Sequence, residues 1–256
     1  MKSIRVDLSD PALEVFAERR DRILKSRKQI VVDSPKVVTK LLESEHTVES
    51  ILATEGFIED HSSLLAQRKN LTVYQADRPV MESIVGHQLH HGVIALAQRP
   101  ADKPLLNMTG SVLVLNGVNK SENVGTIIRT ADALGITNVI VEDAAVSPYS
   151  RRSIRVSMGS IFRMNVYHSQ NLRDDLLLLK EREYSLVGTG LYAECQAVGE
   201  VRWHDPTVLV IGSEGFGMAE EVKEICDLLI RIPIRQGVDS LNAAVAAGIC
   251  MYAWKG

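Results

Sequence analysis

Short apolar runs alternate with amphipathic stretches through the second half of the chain. The runs hold three to five residues and are rich in Val, Ile and Leu, which is typical of parallel strands buried on both faces. The stretches between them repeat their apolar positions at helical spacing. The predicted strands are 111–115, 138–141, 164–167, 185–187, 208–211 and 228–232. The predicted helices are 124–134, 151–158, 172–183, 219–226 and 241–254.

This alternation predicts an α/β fold, in which a parallel sheet is covered by helices on both faces. In such sheets, ligands bind beyond the carboxyl ends of the strands. The loops that follow the strands are therefore the places where chemistry is expected.

The first hundred residues have a less regular pattern. Predicted strands at 29–32, 47–53, 71–74 and 92–97, with a helix at 34–43, indicate a small α/β domain. Two prolines and three charges at 99–104 predict a linker. We therefore expect one domain over 1–100 and a second over 105–256.

The composition agrees with a folded globular protein, because 45% of the residues are hydrophobic and 24% are charged. No apolar run reaches the length of a membrane span, and charges near the N-terminus replace the apolar stretch of an export signal. Cys195, Cys226 and Cys250 lie far apart, which disfavours a disulfide framework or a zinc site. We expect a cytoplasmic protein without a metal.

Basic residues are concentrated in two segments, although the net charge of −3 argues against indiscriminate binding to nucleic acid. Six basic residues surround a single acid at 19–28, and four arginines without an acid lie at 150–163. The segment 19–28 is either a solvated helix face or a strip that binds phosphates, whereas the arginines of 150–163 either form a phosphate track or pair with acids elsewhere in the chain. The candidate contacts are Arg19, Arg20, Arg22, Arg27, Arg151, Arg152 and Arg155.

Three loops at predicted strand ends carry candidate chemistry. In the first, after 111–115, Asn123 is a candidate helix cap, and Arg129 lies off the centre of the buried stripe. By itself this loop favours a capping Asn and a solvated Arg.

The second loop, at 212–218, places three glycines after a buried strand. Glycines allow close backbone approach to a ligand. The spacing is G-x-x-G-x-G rather than G-x-G-x-x-G, and no acid follows at the distance that holds a ribose hydroxyl, so NAD binding is disfavoured. A glycine turn without a ligand remains the alternative.

The third loop ends in a helix without charge until Lys255, which predicts a helix buried nearly all round, in the core or against another subunit. Ser240 is a candidate cap of this helix, and Asn242 lies at its entrance. An ordinary core helix would explain the alanines but not this polar pair.

The three loops together resemble the SpoU/TrmH family of RNA ribose 2′-O-methyltransferases, which belong to the knotted SPOUT class. A first motif, N-x-G-x-x-x-R-T-A, is matched at 123–131, and G-S-E-G-x-G is matched at 212–217. A third motif, I-P followed by S-L-N, is matched at 232–242, and the intermediate signature S-x-G-S-x-F-R is matched at 157–163. An Asp-Pro pair that family members often carry before the first motif is replaced by 120–122, which bears on the shape of that loop and on substrate choice.

The resemblance implies a C-terminal trefoil knot that binds S-adenosylmethionine without a metal, and an RNA-binding N-terminal domain. It assigns a catalytic set, in which Arg129 is the catalytic arginine: Arg129, Asn123, Glu214, Ser240 and Asn242. It assigns the cofactor pocket to Gly212, Ile232, Leu241, Thr189, Gly190 and Gly217.

A guanidinium stays protonated in proteins, so Arg129 is expected to stabilise a phosphate or a developing alkoxide, with a deprotonated base as the alternative. Ribosomal RNA is the expected substrate, because the chain has a sizeable N-terminal extension and ends at the last predicted helix. Transfer RNA and a non-catalytic RNA-binding or ribosome-assembly module are the alternatives. The resemblance also implies a homodimer, with the last helix as a candidate interface.

Overall fold

The computed structural model describes residues 3–18, 20–85 and 92–256, so the candidate RNA contact Arg19 lies outside the described residues. The chain divides into two compact units. The first comprises Met1–Ala101 and Tyr149–Phe162, and the second comprises Asp102–Pro148 and Arg163–Gly256. The continuous domain predicted over 105–256 therefore needs a correction, because the segment Tyr149–Phe162 packs with the first unit.

The first unit contains a mixed five-stranded sheet in the order β1-β4-β3-β5-β2. Strands β1, β4 and β3 are parallel, whereas β5 is antiparallel to both β3 and β2. The strands are β1 (Ile4–Arg5), β2 (Gln29–Asp33), β3 (Val48–Ala53), β4 (Thr72–Gln75) and β5 (Val93–Gln98).

Short helices accompany this sheet, and α3, which confirms the helix predicted over 34–43, buries Val37, Val38, Leu41 and Leu42. Except for α3, these helices are only four to eight residues long and were not predicted, because so few residues barely complete one or two helical periods. They are α1 (Glu14–Ala17), α2 (Asp21–Ser26), α3 (Pro35–Glu43), α4 (Glu55–Asp60), α5 (Ser62–Ala66) and α6 (Arg78–Val85).

The second unit contains a seven-stranded sheet in the order β10-β12-β9-β11-β6-β7-β8, and every neighbouring pair is parallel. The predicted parallel sheet is therefore confirmed, with the addition of the two-residue strand β10. The strands are β6 (Val112–Leu115), β7 (Asn138–Glu142), β8 (Asn165–Ser169), β9 (Ser185–Thr189), β10 (Gln196–Ala197), β11 (Thr207–Ile211) and β12 (Leu228–Arg231).

Helices follow most of these strands. In chain order they are α7 (Ser121–Ala133), α8 (Arg151–Val156), α9 (Leu172–Glu181), α10 (Glu220–Lys223) and α11 (Ala243–Lys255). Helix α8 lies in the Tyr149–Phe162 segment and contacts β2 of the first unit.

The two faces of the parallel sheet bury different helices, as the alternation of side chains along β11 shows. Val208 and Val210 pack in a core with Leu176 of α9 and Val222 of α10. The alternate residues point to the opposite face, where Ile211 and α11 share a cavity and α11 contacts α7. In the part of the chain that the structure describes, no helix is long and apolar enough to cross a membrane.

Candidate functional site

A cavity of about 420 Å³ opens at the carboxyl edge of the parallel sheet. The strands β12, β9 and β11 are parallel neighbours, so their carboxyl ends meet there. The cavity is within the size range of small-molecule sites in proteins. It brings together all six residues predicted for the cofactor pocket, and two predicted catalytic residues also line it: Thr189, Gly190, Gly212, Gly217, Ile232, Leu241, Glu214 and Ser240.

One wall of this cavity is a tight turn between Gly212 and Gly217. A Cβ at Gly212 would lie 2.4 Å from the carbonyl carbon of Gly217, and Gly217 itself adopts a φ of +71°. Both positions therefore require glycine. Ser213 and Gly217 exchange backbone hydrogen bonds of 2.8 and 3.0 Å across the turn. The glycine pattern in the sequence thus corresponds to a closed turn at the end of β11.

The Glu214 carboxylate is a hub that joins the three motif segments. Its Oε1 accepts hydrogen bonds from Asn123 Nδ2 at 2.8 Å, from Asn242 Nδ2 at 2.7 Å and from the Ala243 backbone N at 3.2 Å. Its Oε2 pairs with Lys120 Nζ. Asn242 Nδ2 also donates to Asn123 Oδ1 at 3.0 Å. Side chains from the loop before α7, the glycine turn and the start of α11 are thereby held together.

These donors determine the charge of Glu214. The hydrogen bond from Lys120, followed by those from Asn123 and the Ala243 backbone, lowers the pKa of Glu214 from 4.5 to about 2. A carboxylate with so low a pKa remains ionised at neutral pH and is a weak general base. Glu214 is therefore a fixed negative charge at the rim of the cavity.

The helix caps differ from the prediction in both loops. Asn242, not Ser240, caps α11, because its Oδ1 accepts from the backbone N of Ala244 at 3.0 Å and of Val245 at 3.3 Å. Ser240 is exposed and lines the cavity. Asn123 does not cap α7 either, because that helix begins earlier and turns the buried Asn123 side chain toward Glu214.

Helix α11 is also less buried than predicted. Val245, Ile249 and Tyr252, spaced at helical intervals, are exposed. They contribute to a second cavity, of about 490 Å³, whose wall also contains Glu122 and Thr126 of α7.

Arg129 lies in α7, six residues after Asn123, and its side chain is exposed. It does not line the cavity that holds the glycine turn. Within the described residues, the structure thus unites four of the five predicted catalytic residues around Glu214 or the cavity and leaves Arg129 outside that group.

Two further residues belong to the site and were missed. Lys120 pairs with Glu214, and its position three residues before Asn123 was the signal in the sequence. Tyr192 lines the cavity, with its ring against Gly190 and its hydroxyl facing Gly217, and Lys223 Nζ lies 4.5 Å from the ring centroid. No local pattern marked Tyr192, because it lies in an irregular loop.

The arginines of α8 require a correction. Arg151 Nε donates to Asp33 Oδ2 at 2.8 Å in a buried ion pair within the first unit, and the Arg151 side chain is only 14% exposed. Arg155 Nη1 lies 3.4 Å from the same oxygen. The prediction that Arg151 contacts RNA phosphates is therefore wrong, because the Arg151 guanidinium fastens α8 to β2. The Arg155 side chain also pairs with Asp33, but it remains 37% exposed to solvent.

The remaining candidate arginines are at the surface of the first unit. Arg22, Arg27 and Arg152 are exposed. Arg20 is exposed too, and its guanidinium forms two hydrogen bonds of 3.0 Å with the Glu18 carboxylate. Among the described residues, no group of three or more His, Cys, Asp or Glu side chains is arranged to hold a metal ion.

The fold and the site together define a parallel α/β protein with a glycine-walled ligand cavity at the carboxyl edge of its sheet. The profile of the SpoU rRNA Methylase family matches residues 110–252, a span that contains the cavity and the Glu214 hub. The chain belongs to this family.

Individual proteins match a longer part of the chain than the family profile does. The chain is 33% identical to the 23S rRNA (guanosine-2′-O-)-methyltransferase RlmB of Pseudomonas putida over 82% of this chain and 83% of that protein. It is 29% identical to an uncharacterized tRNA/rRNA methyltransferase of Mycobacterium bovis over 96% of this chain and 89% of that protein. The solved AdoMet-bound rRNA methyltransferase of Sinorhizobium meliloti has the same fold, with a TM-score of 0.87, 24% identity and coverage of 97% and 96% of the two chains.

Proposed function

We propose that this protein transfers a methyl group from S-adenosylmethionine to a ribose 2′-hydroxyl of RNA, and that ribosomal RNA is the substrate. The observation that carries the proposal is the convergence of three separate motif segments on one cavity rim through Glu214. The RlmB relative, whose name specifies a guanosine 2′-O-methyltransferase of 23S rRNA, supports both the reaction and the choice of RNA.

The residues present fit this cofactor. When bound, S-adenosylmethionine supplies an electrophilic methyl group on a positively charged sulfur. The cavity offers apolar surface from Ile232 and Leu241, and Gly212 and Gly217 contribute to its wall. The ionised Glu214 adds a negative charge that complements a cationic ligand. Thr189, Gly190 and Gly217 complete the proposed pocket.

The other polar residues have proposed roles in positioning the ribose. Glu214, in the cavity wall, holds the amides of Asn123 and Asn242, and Ser240 presents a hydroxyl group in the same wall. Holding a hydroxyl at the reacting distance contributes several kcal/mol to a rate. Arg129 supplies a charge-assisted hydrogen bond to a phosphate or to the developing alkoxide.

The proposed RNA-binding surface lies in the first unit. Arg22, Arg27 and Arg152 are exposed there, and the Arg20 guanidinium is exposed beside Glu18. Phosphate contacts of this kind supply affinity without reading sequence. The 1–100 segment is thus proposed as a substrate-binding domain and the 105–256 segment, without Tyr149–Phe162, as the catalytic domain.

Two structural features implied by family membership are proposed as well. The C-terminal segment forms a trefoil knot, which is supported by the insertion of β12 between β10 and β9 before the chain continues into α11. The protein forms a homodimer through α11, which is supported by the exposed stripe Val245, Ile249 and Tyr252. Replacing Tyr252 with Glu is expected to convert the dimer to a monomer in light scattering. A monomeric wild-type protein would refute the dimer.

The function is tested with RNA from cells that lack this protein. We expect the purified protein to bind S-adenosylmethionine in calorimetry and to transfer a radioactive methyl group to ribosomal RNA, at a nucleotide that then resists alkaline cleavage. Preferential labelling of transfer RNA would correct the substrate. RNA binding without cofactor binding would instead indicate a non-catalytic module.

The role of Arg129 is tested by the substitution Arg129→Ala. Loss of a preorganised donor at a developing charge lowers kcat by about 100- to 1000-fold. Because Arg129 does not line the cavity, the Kd for S-adenosylmethionine is expected to remain unchanged in calorimetry. Arg129→Lys, which retains the charge without the bidentate fork, serves as the control. Unchanged turnover in Arg129→Ala would remove Arg129 from the catalytic set.

A further inference from the structure

Phe216 stands at the tip of the glycine turn with almost its whole surface in water. It is 95% exposed, whereas the other three phenylalanines of the chain are at most 8% exposed. Leaving an apolar ring in water forgoes the favourable transfer free energy that burial gives. A Phe at this position therefore contributes nothing to the core and is available to a ligand.

The backbone that presents this ring is held on several sides. Besides the two backbone hydrogen bonds between Ser213 and Gly217, the backbone N of Phe216 donates to Ser213 Oγ at 3.2 Å, and Ser213 Oγ donates to the Gly217 carbonyl at 3.2 Å. A held backbone leaves only the side-chain torsions to be ordered when a ligand binds. The turn is thus a fixed support for an exposed aromatic face.

The position of the ring restricts the possible ligand. Phe216 belongs to the wall of the cavity and lies two residues after Glu214, whose carboxylate is tied to Asn123 and Asn242. Leu191, which lines the same cavity, is 56% exposed. A molecule that reaches the rim of the cavity from solvent therefore passes an apolar, aromatic surface beside the Lys120–Glu214 ion pair.

We propose that Phe216 stacks on a nucleobase of the RNA substrate and so positions the nucleotide that enters the site; this inference rests on the proposed function. An unstacked base offers a flat π surface that matches an exposed aromatic ring, and proteins bind single-stranded RNA in this way. A Phe ring offers a phosphate neither a positive charge nor a hydrogen-bond donor. The base, rather than the backbone, is therefore the part of RNA that this tip contacts.

The test measures the binding of two fluorescein-labelled 12-nucleotide single strands by anisotropy. One is an oligoadenylate, and the other is the same ribose-phosphate strand without bases. Phe216→Ala is expected to weaken binding of the oligoadenylate by about 5- to 150-fold, which corresponds to the loss of one aromatic–base stack. It is expected to leave binding of the abasic strand unchanged. Phe216→Trp retains a stacking face and is expected to bind as wild type.

Two controls separate stacking from other causes. Leu106 is 60% exposed on the same unit and does not line the cavity, so Leu106→Ala measures the effect of removing an unrelated apolar side chain. Calorimetry with S-adenosylmethionine measures the cofactor pocket separately, because Phe216 also belongs to the wall of that cavity.

Three outcomes overturn the inference. The first is a loss of S-adenosylmethionine binding in Phe216→Ala with oligoadenylate binding intact, which would assign the ring to the cofactor. The second is equal weakening of both strands. The third is a wild-type protein that binds both strands equally or neither strand. Failure of the proposed function is distinct, because it would appear as absence of cofactor binding and methyl transfer in the wild-type protein.

Discussion

Two carboxylates in this protein are each surrounded by cationic or amide donors, but in opposite ways. Asp33 of the first unit is 4% exposed and pairs through Oδ2 with Arg151 and Arg155, while its Oδ1 and Arg151 Nη2 are buried without a hydrogen-bond partner among the described residues. Glu214 of the second unit is partly exposed, and both of its oxygens are engaged.

The comparison shows that Asp33 has a structural role, whereas Glu214 belongs to the candidate site. A buried pair with unsatisfied atoms gains little over an apolar pair of the same shape, so its structural effect is to fix which segments meet. A carboxylate at a cavity rim whose two oxygens both have partners instead fixes the orientation of the amides around it and stays ionised. We therefore expect substitutions at Asp33 to act on stability and substitutions at Glu214 to act on the site.

The largest expected effect is that of Asp33→Ala. Removing the carboxylate leaves the Arg151 guanidinium buried without its counter-charge, which costs about 3–5 kcal/mol in the free energy of unfolding. Urea denaturation followed by circular dichroism measures this loss. At temperatures where the variant remains folded, its Kd for S-adenosylmethionine is expected to equal that of the wild-type protein.

The matched control is the double variant Asp33→Ala with Arg151→Met. Since it removes both buried charges, most of the lost stability is expected to return. If the single and double variants unfold at the same urea concentration, the uncompensated charge of Arg151 is not the cause of the lost stability.

An intermediate effect is expected from Glu214→Gln. The new amide would face the Lys120 ammonium with a donor, so the variant loses about 1–3 kcal/mol of unfolding free energy at pH 7. The folded-state pKa of Glu214, about 2, is below its ordinary value of 4.5. The stabilisation that ionised Glu214 adds to the free energy of unfolding is therefore complete above pH 4.5 and disappears as the pH falls toward 2.

Urea denaturation of both proteins between pH 7 and pH 3 measures this contribution. The difference between wild type and Glu214→Gln is expected to be constant above pH 5 and to shrink below pH 4.5. A difference that is independent of pH over this range would contradict the lowered pKa. Methyl transfer is expected to fall more in Glu214→Gln than in Asp33→Ala, because only Glu214 contacts the rim.

The smallest effect is expected from Arg155→Ala. The Arg155 side chain is 37% exposed and lies 3.4 Å from Asp33, so its removal costs at most about 1 kcal/mol in unfolding free energy. Arg151→Ala, which empties the inner position of the same pair, serves as the comparison. Equal losses of unfolding free energy in Arg155→Ala and Arg151→Ala would show that the two arginines contribute equally to the ion pair with Asp33.

The sequence was sufficient to predict most of the strands of the second unit. The apolar runs marked six of its seven strands, because buried parallel strands leave a local signal. The motif residues converged on one cavity because parallel strands carry their following loops to the same edge. Even so, the cap of α11 was misassigned, since Ser and Asn are nearly equivalent as caps in sequence. The start of α7 was misplaced as well, because the helix begins at Ser121 without a side-chain cap.

By itself, then, the sequence determined the parallel sheet, its family and those residues of the cavity that lie in the motifs, because each of these depends on periodicity or on short motifs. Tertiary structure alone decided that α8 packs with the first unit, that Arg151 is buried against Asp33, and that Glu214 gathers donors from two other segments of the chain. Asp33 and Arg151 are 118 residues apart, and Asn123 and Glu214 are 91 apart. Contacts over such separations depend on how whole elements pack, which no local pattern of residues records.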